Sequence, residues 1–259
     1  MIVKFELLVW SLAALLVTCV WRSFGFGTER FKRVSFGQAA NISNHPYIVS
    51  LHIGLYRCGG SILNERWILT AAHCMSVAQG PSGVIVRAGS SHFYSGGTVA
   101  TVQQIHLHPQ QDGIKNFDFA LLELTEPLPM SDTIQAIPLP AKDAFYEDGK
   151  ICDIAGWGRE ENEQLPVYLR AATIPLDNQQ WCFNTFSYAM PVTDNMICAG
   201  VDQSRTDTCP GDSGGPLVCD GTIVGVVSWG VGCGLSGWPS VYARVSTVLD
   251  WIYETASTL

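Results

Sequence analysis

Apolar residues fall in short runs separated by turn-forming residues. Tyr47–Ile53, Ile62–Leu69, Val84–Ala88, Phe119–Leu124, Ile151–Ala155, Leu217–Val218 and Thr222–Trp229 have strand lengths, with Gly, Asn, Asp or Pro between many of them. Strands this short and this closely spaced predict an all-β sandwich or barrel architecture. A Pro-rich stretch from Pro127 to Pro140 divides the chain roughly in half and reads as a linker. Helical spacing is clear only near the C-terminus, where Val248, Leu249, Ile252 and Tyr253 recur on one face beside Trp251. His106 and His108 would share one face of a strand, as structural or exposed residues rather than metal ligands.

One apolar run is longer. It extends from Leu7 to Trp21, between Lys4 and Arg22. Fifteen residues rise only about 22 Å as a helix, short of a bilayer core of roughly 30 Å. A secretory signal peptide fits better than a membrane anchor. Its end lies between 19 and 25, after Cys19 or after Gly25. Arg30-Phe31-Lys32-Arg33 then forms a basic tetrapeptide before Val34, either a solvated charge cluster or a processing site. The expected organisation is a signal peptide over 1–25, an activation peptide over 26–33 and a folded domain over 34–259.

Composition narrows the class. The chain has 259 residues, 47 % apolar and 15 % charged, which excludes a disordered or collagen-like chain. Net charge is −8; residues 1–33 hold five of the 15 basic residues and two of the 23 acidic ones, so residues 34–259 carry −11. That balance weighs against a nucleic-acid partner and favours long-range attraction of cationic ones. Nine Cys become eight once Cys19 leaves with the signal peptide. An even count in a secreted chain implies a disulfide framework, with about a hundred pairings open on the sequence alone.

Three segments carry candidate chemistry. In Leu69-Thr70-Ala71-Ala72-His73-Cys74, a His follows an apolar strand, as a core residue, a metal ligand or a base. In Asn116-Phe117-Asp118-Phe119-Ala120, an Asp enters an apolar run, where burial without a partner is unfavourable. Asp207-Thr208-Cys209-Pro210-Gly211-Asp212-Ser213-Gly214-Gly215-Pro216 surrounds a Ser with glycines, whose bare backbone lets N–H groups approach an anion.

Taken together, these segments resemble the secreted trypsin-like (chymotrypsin-fold) serine endopeptidases, over Val34 to Leu259. Cys58-Gly59-Gly60-Ser61, Gly156-Trp157-Gly158, Ser228-Trp229-Gly230 and Pro239 to Tyr242 belong to the same resemblance. It implies two six-stranded antiparallel β-barrels, about 34–130 and 131–259, with a C-terminal helix. It implies a triad of His73 as general base, Asp118 as its orienting carboxylate and Ser213 as nucleophile, with the N–H groups of Gly211 and Ser213 as oxyanion hole. It also selects the disulfides Cys58–Cys74, Cys152–Cys219, Cys182–Cys198 and Cys209–Cys233, each contributing about 3 kcal/mol.

Specificity follows from the resemblance with one departure. Asp207 stands where trypsins place the acid at the base of the primary pocket, which implies cleavage after Arg or Lys. Ser228 and Gly230 would line that pocket, Gly230 leaving one wall open. Ser240 stands where Gly is usual, so the runner-up is chymotrypsin- or elastase-like selectivity, and the rival from another class is a non-catalytic, protease-like binding protein. The activation site would be Arg33–Val34, with the freed amino group of Val34 paired to Asp212; Val34-Ser35-Phe36-Gly37 departs from the family's usual Ile-Val-Gly-Gly. Cutting would fall to a furin-type or trypsin-like protease. The resemblance implies no cofactor, and the loop Ser90–Gly97 lacks the acids of the trypsin calcium loop, so no metal is expected. Expected partners are protein or peptide substrates and protein protease inhibitors, for a monomer secreted to the extracellular space. Asn41-Ile42-Ser43 is one N-glycosylation acceptor.

Overall fold

The computed structural model describes residues 37–113, 115–160, 164–187, 190–200 and 206–259. The signal and activation peptides, with Arg33 and Val34, lie outside the described residues. Thirteen strands and three α-helices are present among the described residues. β2 (Ile48–Ile53), β3 (Tyr56–Ile62), β4 (Trp67–Thr70), β5 (Val84–Ala88), β6 (Thr98–Leu107) and β7 (Ala120–Leu124) close an antiparallel barrel in the order β2-β3-β4-β7-β6-β5. Closure leaves no strand edge, so every backbone ladder has a neighbour on each side.

The second sheet combines β8 (Ile151–Gly156), β9 (Arg170–Pro175), β10 (Met196–Ala199), β11 (Pro216–Cys219), β12 (Thr222–Trp229) and β13 (Ser240–Arg244) with β1 (Gln38–Ala39). Its order is β1-β9-β8-β11-β12-β13-β10. The segment after β9 meets β10 through the Leu176–Ala199 bridge, with Asp177 N–H on the carbonyl of Cys198 (2.9 Å) and Gly200 N–H on that of Pro175 (3.0 Å). The six C-terminal strands thus curl until their ends touch, and the N-terminal segment lends β1 as a seventh.

The structure corrects several details of the pattern reading. The run Ile62–Leu69 is two strand ends around a turn. Oδ1 of Asn64 accepts from the N–H groups of Arg66 (2.8 Å) and Trp67 (3.0 Å), an Asx-type turn hidden because Leu63 and Trp67 beside it are both buried. β6 escaped notice because five of its ten residues are polar and interrupt the apolar run, and only Val102 is buried. His106 lies in β6, but His108 lies past its end, buried and stacked on Phe117 with ring centroids 4.6 Å apart. The stretch from Pro127 to Pro140 is a strap rather than a loose linker: Leu128, Ile134 and Ile137 are buried, and Ile137 N–H donates to the carbonyl of Ile62 at 2.8 Å.

Two short helices lacked an apolar period. α1 (Ala72–Met75) is one turn, and α2 (Gln179–Phe186) buries only Cys182 and Phe186 behind an Asn178 cap on Trp181 N–H. The C-terminal helix α3 (Leu249–Thr255) has the expected apolar face, except that Tyr253 points outward. Leu249, Ile252 and the following Ala256 join the core of the first barrel. Disulfides join Cys58 to Cys74, Cys152 to Cys219, Cys182 to Cys198 and Cys209 to Cys233. No described helix is long and apolar enough to cross a membrane.

Candidate active site

The segments that carry His73, Asp118 and Ser213 come from different parts of the fold. β4 ends at Thr70, and α1, which follows it, carries His73. Asp118 stands just before β7, which pairs with β4 through Thr70 and Ala120. That pairing brings His73 and Asp118 together. Asp118 Oδ1 accepts from His73 N–H at 2.8 Å, and Oδ2 meets His73 Nδ1 at 2.7 Å. Asp118 is wholly buried while the His73 side chain is 22 % exposed, so the imidazole has one face on the carboxylate and one toward solvent. Burial presses the Asp118 carboxyl upward, but His73, Ser228 and Lys115 outweigh it and hold the group below its ordinary range.

Ser213 is delivered from the second sheet by the turn before β11. Its carbonyl accepts from Gly59 N–H in β3 at 2.7 Å, which pins the turn to the first barrel. Gly214 has φ +80, and a Cβ there would stand 2.2 Å from Thr70 Oγ1 and 2.5 Å from the Gly59 carbonyl. Only glycine fits that contact. Within this turn the N–H groups of Asp212, Gly214 and Gly215 are used internally, on Cys209, Val227 and Asp212. Among the described residues, none accepts from the N–H of Gly211 or Ser213.

Asp212, between them, points inward and is fully buried. Its Oδ1 accepts from Gly158 N–H at 2.6 Å and its Oδ2 from Cys209 N–H at 2.9 Å. A Cβ on Gly158 would lie 1.9 Å from Oδ2, and one on Gly156 2.2 Å from Oδ1, so both glycines of Gly156-Trp157-Gly158 make room for this carboxylate. No cation lies within ion-pair distance of it among the described residues. Burial pushes Asp212 up to about 8 against the two N–H donors.

A cavity of about 330 Å³ opens beside the pair. His73 and Ser213 line it with Trp229, Gly230, Ser240 and Lys115. Asp207 is buried next to this lining. Its Oδ1 accepts from Thr208 N–H at 2.8 Å and its Oδ2 from Gly234 N–H at 3.0 Å. Burial raises its carboxyl to about 6, opposed by Ser240 and those two N–H groups. The Thr208 hydroxyl donates to Ser240 Oγ at 2.8 Å, so the hydroxyl of Ser240 is engaged at the pocket wall. Ser240 Oγ also lies 3.4 Å from where a Cβ on Gly230 would stand, so the opening at Gly230 is already narrowed.

Two contributors escaped sequence reasoning. Ser228, expected only as pocket lining, also donates its hydroxyl to Asp118 Oδ2 at 2.5 Å. Lys115, three residues before Asp118, reaches within 3.9 Å of the same oxygen. Neither is signalled by spacing, because β12 is far from Asp118 in sequence and Lys115 sits in a loop of no periodicity. Asn41 is exposed, and its Oδ1 accepts from Ser43 N–H (3.1 Å) and hydroxyl (2.8 Å) within the acceptor triplet. No group of three His, Cys, Asp or Glu side chains that could hold a metal ion occurs among the described residues.

Comparison with known proteins bears on the same residues. The family model described as Trypsin matches residues 34–252. The chain is 43 % identical over 228 residues to Trypsin 5G1 of Aedes aegypti, covering 86 % of this chain and 85 % of that protein. It is 40 % identical over 218 residues to a trypsin of Simulium vittatum (81 % and 87 % covered) and 36 % identical over 249 residues to Trypsin II-P29 of Gallus gallus (93 % and 96 % covered).

Proposed function

The chain belongs to the trypsin family of serine proteases, and we propose that it is a secreted endopeptidase, made as a zymogen, that cleaves after Arg or Lys. The observation that carries the reading is the buried Asp118 on His73 Nδ1 with Ser213 in the same cavity. A serine hydroxyl is a weak nucleophile at neutral pH. With Asp118 holding the Nδ1 proton, Nε2 of His73 is the basic nitrogen, able to take the Ser213 proton as the hydroxyl attacks the peptide carbonyl. The imidazolium so formed is stabilised by Asp118 and then protonates the leaving amine. The N–H groups of Gly211 and Ser213 receive the developing oxyanion. Water repeats the sequence on the acyl-enzyme and frees Ser213. Asp118 itself keeps its charge throughout.

Selectivity rests on Asp207. A carboxylate raised to about 6 by burial gains most from a cation that replaces lost solvation, which favours Arg and Lys side chains. Relatives that bear the name trypsin support the same choice. The second reading, chymotrypsin- or elastase-like selectivity, is favoured by Ser240, which narrows the pocket beside Gly230.

Latency follows from Asp212. A fully buried carboxylate with only two N–H donors wants a cation. Cutting after Arg33, by a furin-type or trypsin-like protease, supplies one as the amino group of Val34 and locks the turn that carries Gly211 and Ser213. Residues 1–25 direct secretion and 26–33 are released on activation. The substrates are proteins and peptides, and protein protease inhibitors engage the same cleft of the monomeric enzyme. Asn41, exposed, carries a glycan. The test is labelling of Ser213 by an organophosphate together with cleavage of matched substrates ending in Arg, Lys, Phe and Ala. No labelling of the activated chain leaves the non-catalytic, binding-protein reading.

A further inference from the structure

The loop before Asp118 holds a cation in the cleft. Lys115 lines the cavity with His73, Ser213 and Trp229. Its Nζ lies 3.9 Å from Asp118 Oδ2, with the lysine side chain 27 % exposed and Asp118 wholly buried. That distance is beyond hydrogen bonding, so the contact is Coulombic. The oxygen nearest the ammonium, Oδ2, is already occupied. Oδ1 accepts from His73 N–H, and Oδ2 accepts from His73 Nδ1–H and from Ser228 Oγ–H. Asp118 attracts the ammonium without accepting from it, so the donors of Lys115, which lines the cleft, are not spent on the carboxylate.

The loop is shaped to hold that position. Lys115 has φ +66 and Phe117 φ +51, conformations a side-chain-bearing residue rarely takes. Lys115 N–H donates to the Asp112 carbonyl at 3.3 Å, and Asn116 N–H donates to Asp112 Oδ1 at 3.0 Å. Asn116 Oδ1 in turn accepts from Thr193 Oγ1 at 2.8 Å and Asn195 Nδ2 at 3.1 Å, so the loop is anchored to the segment before β10. Burial draws the ammonium below its ordinary range and Asp118 opposes that, the signature of a cation short of solvent and of partners.

We propose that Lys115 forms a cationic subsite of the cleft that receives an acidic side chain of the substrate close to the cleaved bond. A substrate Glu or Asp would take charge-assisted hydrogen bonds that Asp118 does not. Residues 34–259 are acidic, at −11, so such a substrate gains nothing from the long-range field. The preference is therefore local to Lys115. Lys115 acts here as a specificity-determining residue, and the inference rests on the endopeptidase reading above.

The experiment uses the active protease and otherwise identical amide substrates with Glu, Gln or Lys at each of the three residues preceding the cleaved one, in sets ending in Arg, Phe and Ala. The wild type is expected to favour Glu over Gln in kcat/KM by about tenfold at one of these positions. The ratio falls toward one as ionic strength rises. Lys115→Arg keeps the preference, Lys115→Met brings the ratio to about one, and Lys115→Glu inverts it in favour of Lys. A wild-type Glu to Gln ratio of one or less at all three positions overturns the proposal, as does the same ratio in Lys115→Met. Because each variant is read as a ratio of two substrates on one preparation, a partly misfolded variant still reports. Failure of the Arg set with cleavage of the Phe or Ala set overturns the Arg/Lys reading instead, and those sets then carry the same Glu to Gln comparison.

Discussion

The hydroxyl of Ser228, in β12, donates to Oδ2 of Asp118 at 2.5 Å. Asp118 belongs to the segment entering β7 of the first barrel, and β12 runs through the second sheet. The carboxylate that holds His73 is thus itself held from the opposite half of the molecule. Replacing Ser228 by Ala removes a hydrogen bond to a buried charge, worth about 1.5–3 kcal/mol. The expected outcome is a kcat/KM lowered about 10- to 100-fold with KM little changed, measured by steady-state kinetics on one good substrate.

Replacing the reacting groups should cost far more. Ser213→Ala is expected to lower turnover about 10⁶-fold. Asp118→Asn should lower it about 10⁴-fold, because the amide favours the wrong His73 tautomer while leaving the fold intact. Purified Ser213→Ala protein that retains more than a thousandth of wild-type turnover would remove Ser213 from the role of nucleophile.

Asp207, raised to about 6, makes pocket affinity depend on pH. Below that value the carboxyl is protonated and offers a cation nothing. An amidinium inhibitor should therefore bind more tightly as pH rises from about 4 to 7. Calorimetric titration across that range checks it, and Asp207→Ser should flatten the curve and abolish the proposed Arg preference. Ser240→Gly should speed cleavage if the hydroxyl on Thr208 mainly narrows the wall. A slower glycine variant would show that this hydroxyl assists binding.

The proposed activation would couple the cut after Arg33 to stability through Asp212. An acid at about 8 in the fold and near 4 when unfolded takes up a proton on folding. Its stabilising share is complete below about pH 4 and is lost as pH rises through 8. A chain left uncut by Arg33→Gln should therefore lose thermal stability steeply between pH 4 and 8. The cut form, with the Val34 amine as counter-ion, should lose less over that interval. Parallel melting profiles for the two would dissociate Val34 from Asp212.

Gly158 and Gly214 test the packing of the Ser213 turn. An Ala at 158 would place Cβ 1.9 Å from Asp212 Oδ2, and one at 214 would meet Thr70 Oγ1 at 2.2 Å in a φ of +80. Each should destabilise by about 2–4 kcal/mol and depress activity further than the stability loss explains. Gly149→Ala, at φ +77 with nothing near its Cβ, separates the two causes, since it carries backbone strain alone.

Strand-length apolar runs between turn residues were enough to read an all-β chain, because a pleated strand with a buried face needs apolar side chains whatever its neighbours are. In strands that were missed, such as β6, polar residues interrupt the apolar run, and the turn at Asn64 was covered by apolar residues on both sides. His73, Asp118 and Ser213 stood out as local segments open to more than one reading, and only the resemblance to a known family assigned roles to them and to Asp207 and Asp212. What they do together was not legible in the segments themselves. The His73–Asp118 contact depends on β4 pairing with β7, the Ser213 turn depends on Gly59 of β3, and Ser228 reaches Asp118 across 110 residues of chain. Lys115 has no sequence signal at all, because only the folded loop sets its ammonium near a carboxylate oxygen whose lone pairs are already taken. Residue type is written in the chain one position at a time. Distance between charges exists only after the barrel has closed and the second sheet has curled against it.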